Sequence, residues 1–163
     1  MPFEHNLDSL EKLGVITNFD YSNWAAPIVA VKKVNGTVRL CADFSTGLND
    51  ALAHYLYPLP YRRHLCNLEW CQYFSKIDLA DSYLQVEVDE ITKQLLTTKT
   101  HPSSYRHNRL PFDVKSAPAI FQTIMDNMLP GIKDVFASLR DVIIVGRTEE
   151  EHRNDLDAVF KRI

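Results

Sequence analysis

Residues 138–146 read SLRDVIIVG, and the run VFASL at 135–139 leads into them. Both apolar runs are short and rich in strand formers. The charged pair Arg140-Asp141 falls between them, where a tight hairpin turn belongs. A buried hairpin carrying an arginine and an aspartate side by side at its tip decides the reading of the chain, and the other segments are taken relative to it.

Upstream, YFSKIDLADSYLQVEV at 73–88 begins as a strand that reaches Asp78. A turn or single helical turn follows, and alternation resumes at YLQVEV. Carboxylates at the ends of neighbouring strands, as Asp78 and Asp141 would be, can converge on hard cations such as Mg²⁺. Two such cations ~3.5–4 Å apart support phosphoryl and nucleotidyl transfer. On spacing alone a plainer reading is ahead: a solvated strand end and a turn residue.

Outward from these strands the pattern is mixed. NLDSLEKLGVI places leucines at 7, 10 and 13 before Gly14, a short helix with a glycine stop. APIVAVKKVNGTVRLCADF is a hairpin centred on Asn35-Gly36. Pro58 and Pro60 favour an extended connector. LLTTKT is strand-like, and RLPFDV is extended. After Ser116, the positions Ala117, Ile120, Phe121, Ile124, Met125 and Met128 have helical rhythm, stopped by Pro130-Gly131. Thr148 and Glu151 form a capping box for a last helix with Leu156, Val159, Phe160 and Ile163 on one face. The order implies an α+β fold with an antiparallel sheet backed by helices. The chain stops inside that last helix, so a truncation is expected.

The bulk numbers are those of one globular domain: 163 residues, 45% hydrophobic, net charge −3. The charge argues weakly against a free-standing nucleic-acid binder and leaves room for a local basic groove. No apolar run approaches the ~20 residues of a membrane span. Cys41, Cys66 and Cys71 are an odd number without a secretory signal, which reads as reduced thiols and an intracellular protein, in cytoplasm or nucleus. His64 lies near Cys66 and Cys71, but a fourth zinc ligand at finger spacing is missing.

Six segments in order, SNWAAPIVAVKK, NGTVRLCADF, YPLP, YFSKIDLADSYLQVEV, RLPFDVKSAPAIFQTIMDNML and VIIVGRTEEEH, resemble the fingers and palm of reverse transcriptases from gypsy-like LTR retrotransposons. The likeness runs from LEKLGVI to the C-terminus. It implies a fingers hairpin plus a polymerase palm, about 1–72 and 90–110 fingers, about 73–89 and 111–163 palm. By the same resemblance, the thumb, ribonuclease H and integrase of an intact polyprotein are expected to be missing from this sequence. The family reaction is template-directed DNA synthesis from deoxynucleoside triphosphates on an RNA or DNA template-primer, with two Mg²⁺ ions. By the resemblance, Asp78 is the first catalytic aspartate and the Leu79 carbonyl a further metal contact. Tyr83 is the steric gate against a ribose 2′-hydroxyl, otherwise a core tyrosine. Lys33 and Arg39 close on the triphosphate, otherwise a solvated hairpin face. Phe112 packs on the incoming nucleotide.

The chain departs from the family where chemistry concentrates. The family hairpin reads Tyr-x-Asp-Asp; here it is Ser138-Leu139-Arg140-Asp141. A permanent cation therefore stands at a metal-ligand position. At ~4 Å and an effective dielectric of ~20, each unit charge pair is worth about 4 kcal/mol. Arg140 either swings outward or pairs with Asp78 or Asp141 in place of metal. Asp113 replaces a glycine that lets backbone approach substrate, Ser138 replaces the hairpin tyrosine, and EWCQ replaces a glycine pair before the strand. The expectation is a reverse transcriptase domain silenced by Arg140. Its alternative is a non-catalytic transposon remnant that binds nucleic acid or protein.

Overall fold

A computed structural model describes residues 2–20, 22–32, 38–52, 70–101 and 103–163. Lys33, the Asn35-Gly36 turn, Pro58, Pro60, His64 and Cys66 lie outside the described residues. The chain divides into two compact units, one of residues 1–54 and 83–117, the other of residues 55–82 and 118–163.

Unit one opens with α1 (Pro2–Lys12), ended by Gly14 at φ 69. Leu7 is buried on its inner face, whereas Leu13, expected to share that face, is exposed beyond the helix end. The strands are β1 (Ile16–Phe19), β2 (Ala26–Lys32), β3 (Val38–Ala42), β5 (Thr97–Lys99) and β6 (Ser104–His107), with β4 (Tyr73–Asp78) in the other unit. They form one sheet in the order β1-β6-β5-β2-β3. β2 and β3 are the expected hairpin. The short β2–β5 pairing is parallel, so this sheet is mixed rather than purely antiparallel. The core gathers Ile16, Ala26, Phe44 and Leu96, with Trp24 stacked on Phe44 at 6.3 Å between centroids.

The expected strand at 83–88 does not form. Ser82–Gln85 is a 3₁₀ turn, and Glu87 makes only an isolated bridge to Arg109. A short helix follows it that periodicity over 4–6 residues could not reveal. After α2 (Leu48–Ala51), this is α3 (Glu90–Leu95), started by Asp89, whose carboxylate accepts from the Ile91 and Thr92 N–H groups at 3.0 Å.

Unit two is a three-stranded antiparallel sheet, β4 (Tyr73–Asp78), β8 (Asp141–Gly146) and β7 (Val135–Ser138), in that order. Two helices complete it, α4 (Ala117–Met128) and α5 (Glu149–Phe160). α5 carries the expected cap: Thr148 Oγ1 accepts from the Glu151 N–H at 3.2 Å. It buries Val159 and leaves Phe160 exposed. Gly146 allows β8 to approach α5. A Cβ there would lie 2.6 Å from His152 Cβ and 2.9 Å from its backbone N. The His152 ring meets Ser75 Oγ at 2.8 Å and stacks on Tyr73. Val142, Ile144 and Val145 are fully buried, so β8 is the spine of this unit.

Candidate functional site

β7 and β8 are joined by the two residues Leu139 and Arg140, with Ser138 opposite Asp141 in the ladder. Such a loop needs a left-handed backbone, and Leu139 has φ 53. For a residue with a Cβ that conformation costs roughly 1–2 kcal/mol. Hydrogen bonds from both sides offset the cost. The Leu139 N–H donates to Gln122 Oε1 at 2.7 Å, and the Leu79 N–H donates to the Arg140 carbonyl at 2.9 Å. Gln122 in turn donates from Nε2 to the Ala137 carbonyl at 3.0 Å and to Asp126 Oδ1 at 2.8 Å.

The β4–β8 register ends with Asp78 directly across from Asp141. Residues directly opposite in an antiparallel pair project from one face, about 4.5–5.5 Å apart at Cβ. The two carboxylates singled out in the sequence are therefore neighbours. Lys76 shares that face, two residues before Asp78. Its Nζ lies 2.9 Å from Asp141 Oδ2. Arg140 is exposed at the tip, and among the described residues it forms no ion pair with Asp78 or Asp141. The outward alternative therefore holds, and the arginine does not stand in for metal. The reason is positional: Lys76 sits in the ladder beside Asp141, while residue 140 belongs to the loop.

Among the described residues no group of three His, Cys, Asp or Glu is placed to hold a metal ion. Mg²⁺ demands near-octahedral oxygen ligation, and one of the two carboxylates here is already paired with an ammonium. The donor set does not fit a pair of Mg²⁺ ions.

The remaining residues divide between the units. Leu79 is buried in unit two. Tyr83 and Phe112 belong to unit one and pack together, ring centroids 5.2 Å apart and planes tilted by 49°. Tyr83 is buried, Phe112 half-buried. Arg39 lies in β3 opposite Val31, and Lys33 is outside the described residues. Asn49 fixes the loop after Phe112. Its Nδ2 donates to the Asp113 carbonyl at 2.9 Å, and its Oδ1 accepts from the Lys115 N–H at 2.8 Å.

Sequence reasoning missed Gln122, Lys76 and Asn49. Gln122 sits in the buried stripe of α4 with Phe121 and Met125, whereas Ile120 and Ile124, expected in the core, are exposed. A glutamine four residues before Asp126 was its one available signal.

A two-residue hairpin and a strand end thus juxtapose Asp78 and Asp141 on an α+β scaffold. The model of the reverse transcriptase (RNA-dependent DNA polymerase) family matches residues 16–163, and the chain belongs to that family. It is 42% identical over 161 residues to the uncharacterized protein K02A2.6 of Caenorhabditis elegans, covering 98% of this chain and 13% of that protein. It is 31% identical over 169 residues to the retrovirus-related Pol polyprotein from transposon 297 of Drosophila melanogaster, covering 98% of this chain and 16% of the polyprotein. The fold is shared with the foamy viral protease-reverse transcriptase solved in complex with double-stranded DNA. That likeness has a TM-score of 0.86 at 24% identity, over 98% of this chain and 28% of the other. The chain is thus a reverse transcriptase domain of the transposon polyprotein type, spanning a small part of the relatives it matches. Among the described residues no helix is long and apolar enough to cross a membrane.

Proposed function

We propose that this chain is the fingers and palm segment of a reverse transcriptase in which template-directed DNA synthesis has been silenced at the hairpin tip. The fingers are about residues 1–72 and 90–110, and the palm is about 73–89 and 111–163. Asp78 and Asp141 are the surviving catalytic carboxylates. By the same reading the Leu79 carbonyl is a further metal contact, Tyr83 the steric gate against a ribose 2′-hydroxyl, Phe112 the residue that packs on the nucleotide, and Lys33 and Arg39 the triphosphate cations. The observation that carries the reading is the end of the β4–β8 ladder. Asp78 and Asp141 are in register there, but Arg140 occupies the third position and Lys76 neutralises Asp141. Replacing a carboxylate by a guanidinium reverses the local charge where a divalent ion must be attracted. No catalytic step is therefore assigned to Mg²⁺ here.

Nucleic-acid binding without chemistry is the companion reading, favoured by the fold shared with the foamy viral enzyme solved on double-stranded DNA. The test is primer extension on an RNA template with deoxynucleoside triphosphates and Mg²⁺ or Mn²⁺, beside anisotropy of a labelled template-primer. The expected result is no extension. Extension that disappears in Asp78→Asn would overturn the silencing. Binding that fails even at low salt, where phosphate contacts are strongest, would overturn the companion reading.

A further inference from the structure

We infer that Gln122 is the positioning residue of the hairpin tip: its carboxamide fixes the left-handed Leu139 and so sets where residues 140 and 141 stand opposite Asp78. The inference rests on reading β7–β8 as the catalytic hairpin.

The geometry is specific. Gln122 is 1% exposed, so none of its polar atoms can turn to water. Its Oε1 receives the Leu139 N–H, and its Nε2 serves the Ala137 carbonyl and Asp126. The amide orientation is determined by its partners. A backbone N–H can only donate and a carbonyl can only accept, so a flipped amide would lose both contacts to the hairpin. Asp126, one helical turn on, holds the amide in that sense. Neither backbone contact belongs to the β7–β8 ladder's own pairing. Gln122 grips residue 137 before the turn and residue 139 within it. The Leu79 N–H on the Arg140 carbonyl fixes the other side. The turn is therefore held by groups that do not depend on the side chain at position 140. Exchanging an aspartate for Arg140 leaves the backbone of the site where it was.

The test is amide hydrogen exchange on the full chain, read as the rate at Leu139 relative to Val145, whose N–H bonds to the Asp134 carbonyl in the same unit. Gln122→Leu keeps volume and removes both polar groups. It should speed Leu139 about tenfold or more against Val145, the loss of one buried hydrogen bond. An unchanged ratio overturns the inference. If Gln122→Leu does not fold, Asp126→Ala decides: about threefold is expected, and no change overturns it. A second arm uses Mn²⁺ binding, followed by water-proton relaxation, in the Arg140→Asp background. Adding Gln122→Leu should weaken Mn²⁺ about tenfold, and equal affinity with and without Gln122 overturns the positioning role. If Arg140→Asp alone binds no Mn²⁺, the catalytic-hairpin reading fails, and the exchange ratio still judges Gln122.

Discussion

His107 in unit one and Asp155 in unit two are both shifted, and the two shifts act on stability in opposite directions as pH falls. In unit one His107 closes β6 with its ring inside the fold. Part of the residue's surface is open, but Nδ1 is shut from solvent and has no partner among the described residues. Thr98 Oγ1 is 3.4 Å from the other nitrogen. Burial pushes the pKa down from 6.5 to about 4. In unit two Asp155 on α5 is pushed upward, first by burial and then by the nearby Asp134 and Glu151 carboxylates. A depressed histidine gives stability that is whole above 6.5 and lost as pH falls through 4. A raised aspartate strains the charged form, so unit two gains as pH falls through that pKa. Unit one keeps its weakness in the core, where no substrate would reach it. Unit two keeps its weakness in Asp155, Asp134 and Glu151, at the end of the hairpin away from Asp78 and Asp141.

The largest expected effect tests that contrast directly. Between pH 6.5 and 4 unit one should lose about 3 kcal/mol through His107 alone. Amide exchange should show Asn108 losing protection at a higher pH than Val145. Loss of both at one pH would erase the contrast. Next in size, Gly146→Ala drives a Cβ into α5 at 2.6 Å and should cost unit two about 2 kcal/mol in a denaturant melt. The loss should appear at Val145 and not at Asn108. Equal losses would mean that the units melt as one. The smallest effect has the opposite sign. Ser82 is fully buried, and its hydroxyl has no partner among the described residues. Ser82→Ala should raise stability by about 1 kcal/mol, and a lower melting temperature would reveal a partner for that hydroxyl.

Elements with strong local grammar were legible in the sequence. The hairpin of β2 and β3, the strand ending at Asp78, the helix after Ser116 and the Thr148 cap all follow from patterns within a dozen residues. The stretch 82–95 was not. Its alternation imitates a strand, and the Asp89 cap that starts a helix of six residues outweighs it. In the candidate site, Asp78 and Asp141 were legible as a pair because both end strands. Lys76 on Asp141 and Gln122 under Leu139 depend on register and on α4's rotation about its axis. Neither is encoded locally.

The two-residue turn between Ser138 and Asp141 decides which changes of sequence the hairpin can absorb. Side chains alternate across a strand, so inserting or deleting one residue in 135–146 would turn part of the hairpin over or force a bulge. Val142, now fully buried, could then face Asp78 in place of Asp141. A substitution at position 140 alters a single projecting group and leaves the pairing untouched. The hairpin therefore tolerates substitutions at its tip and not slips of register.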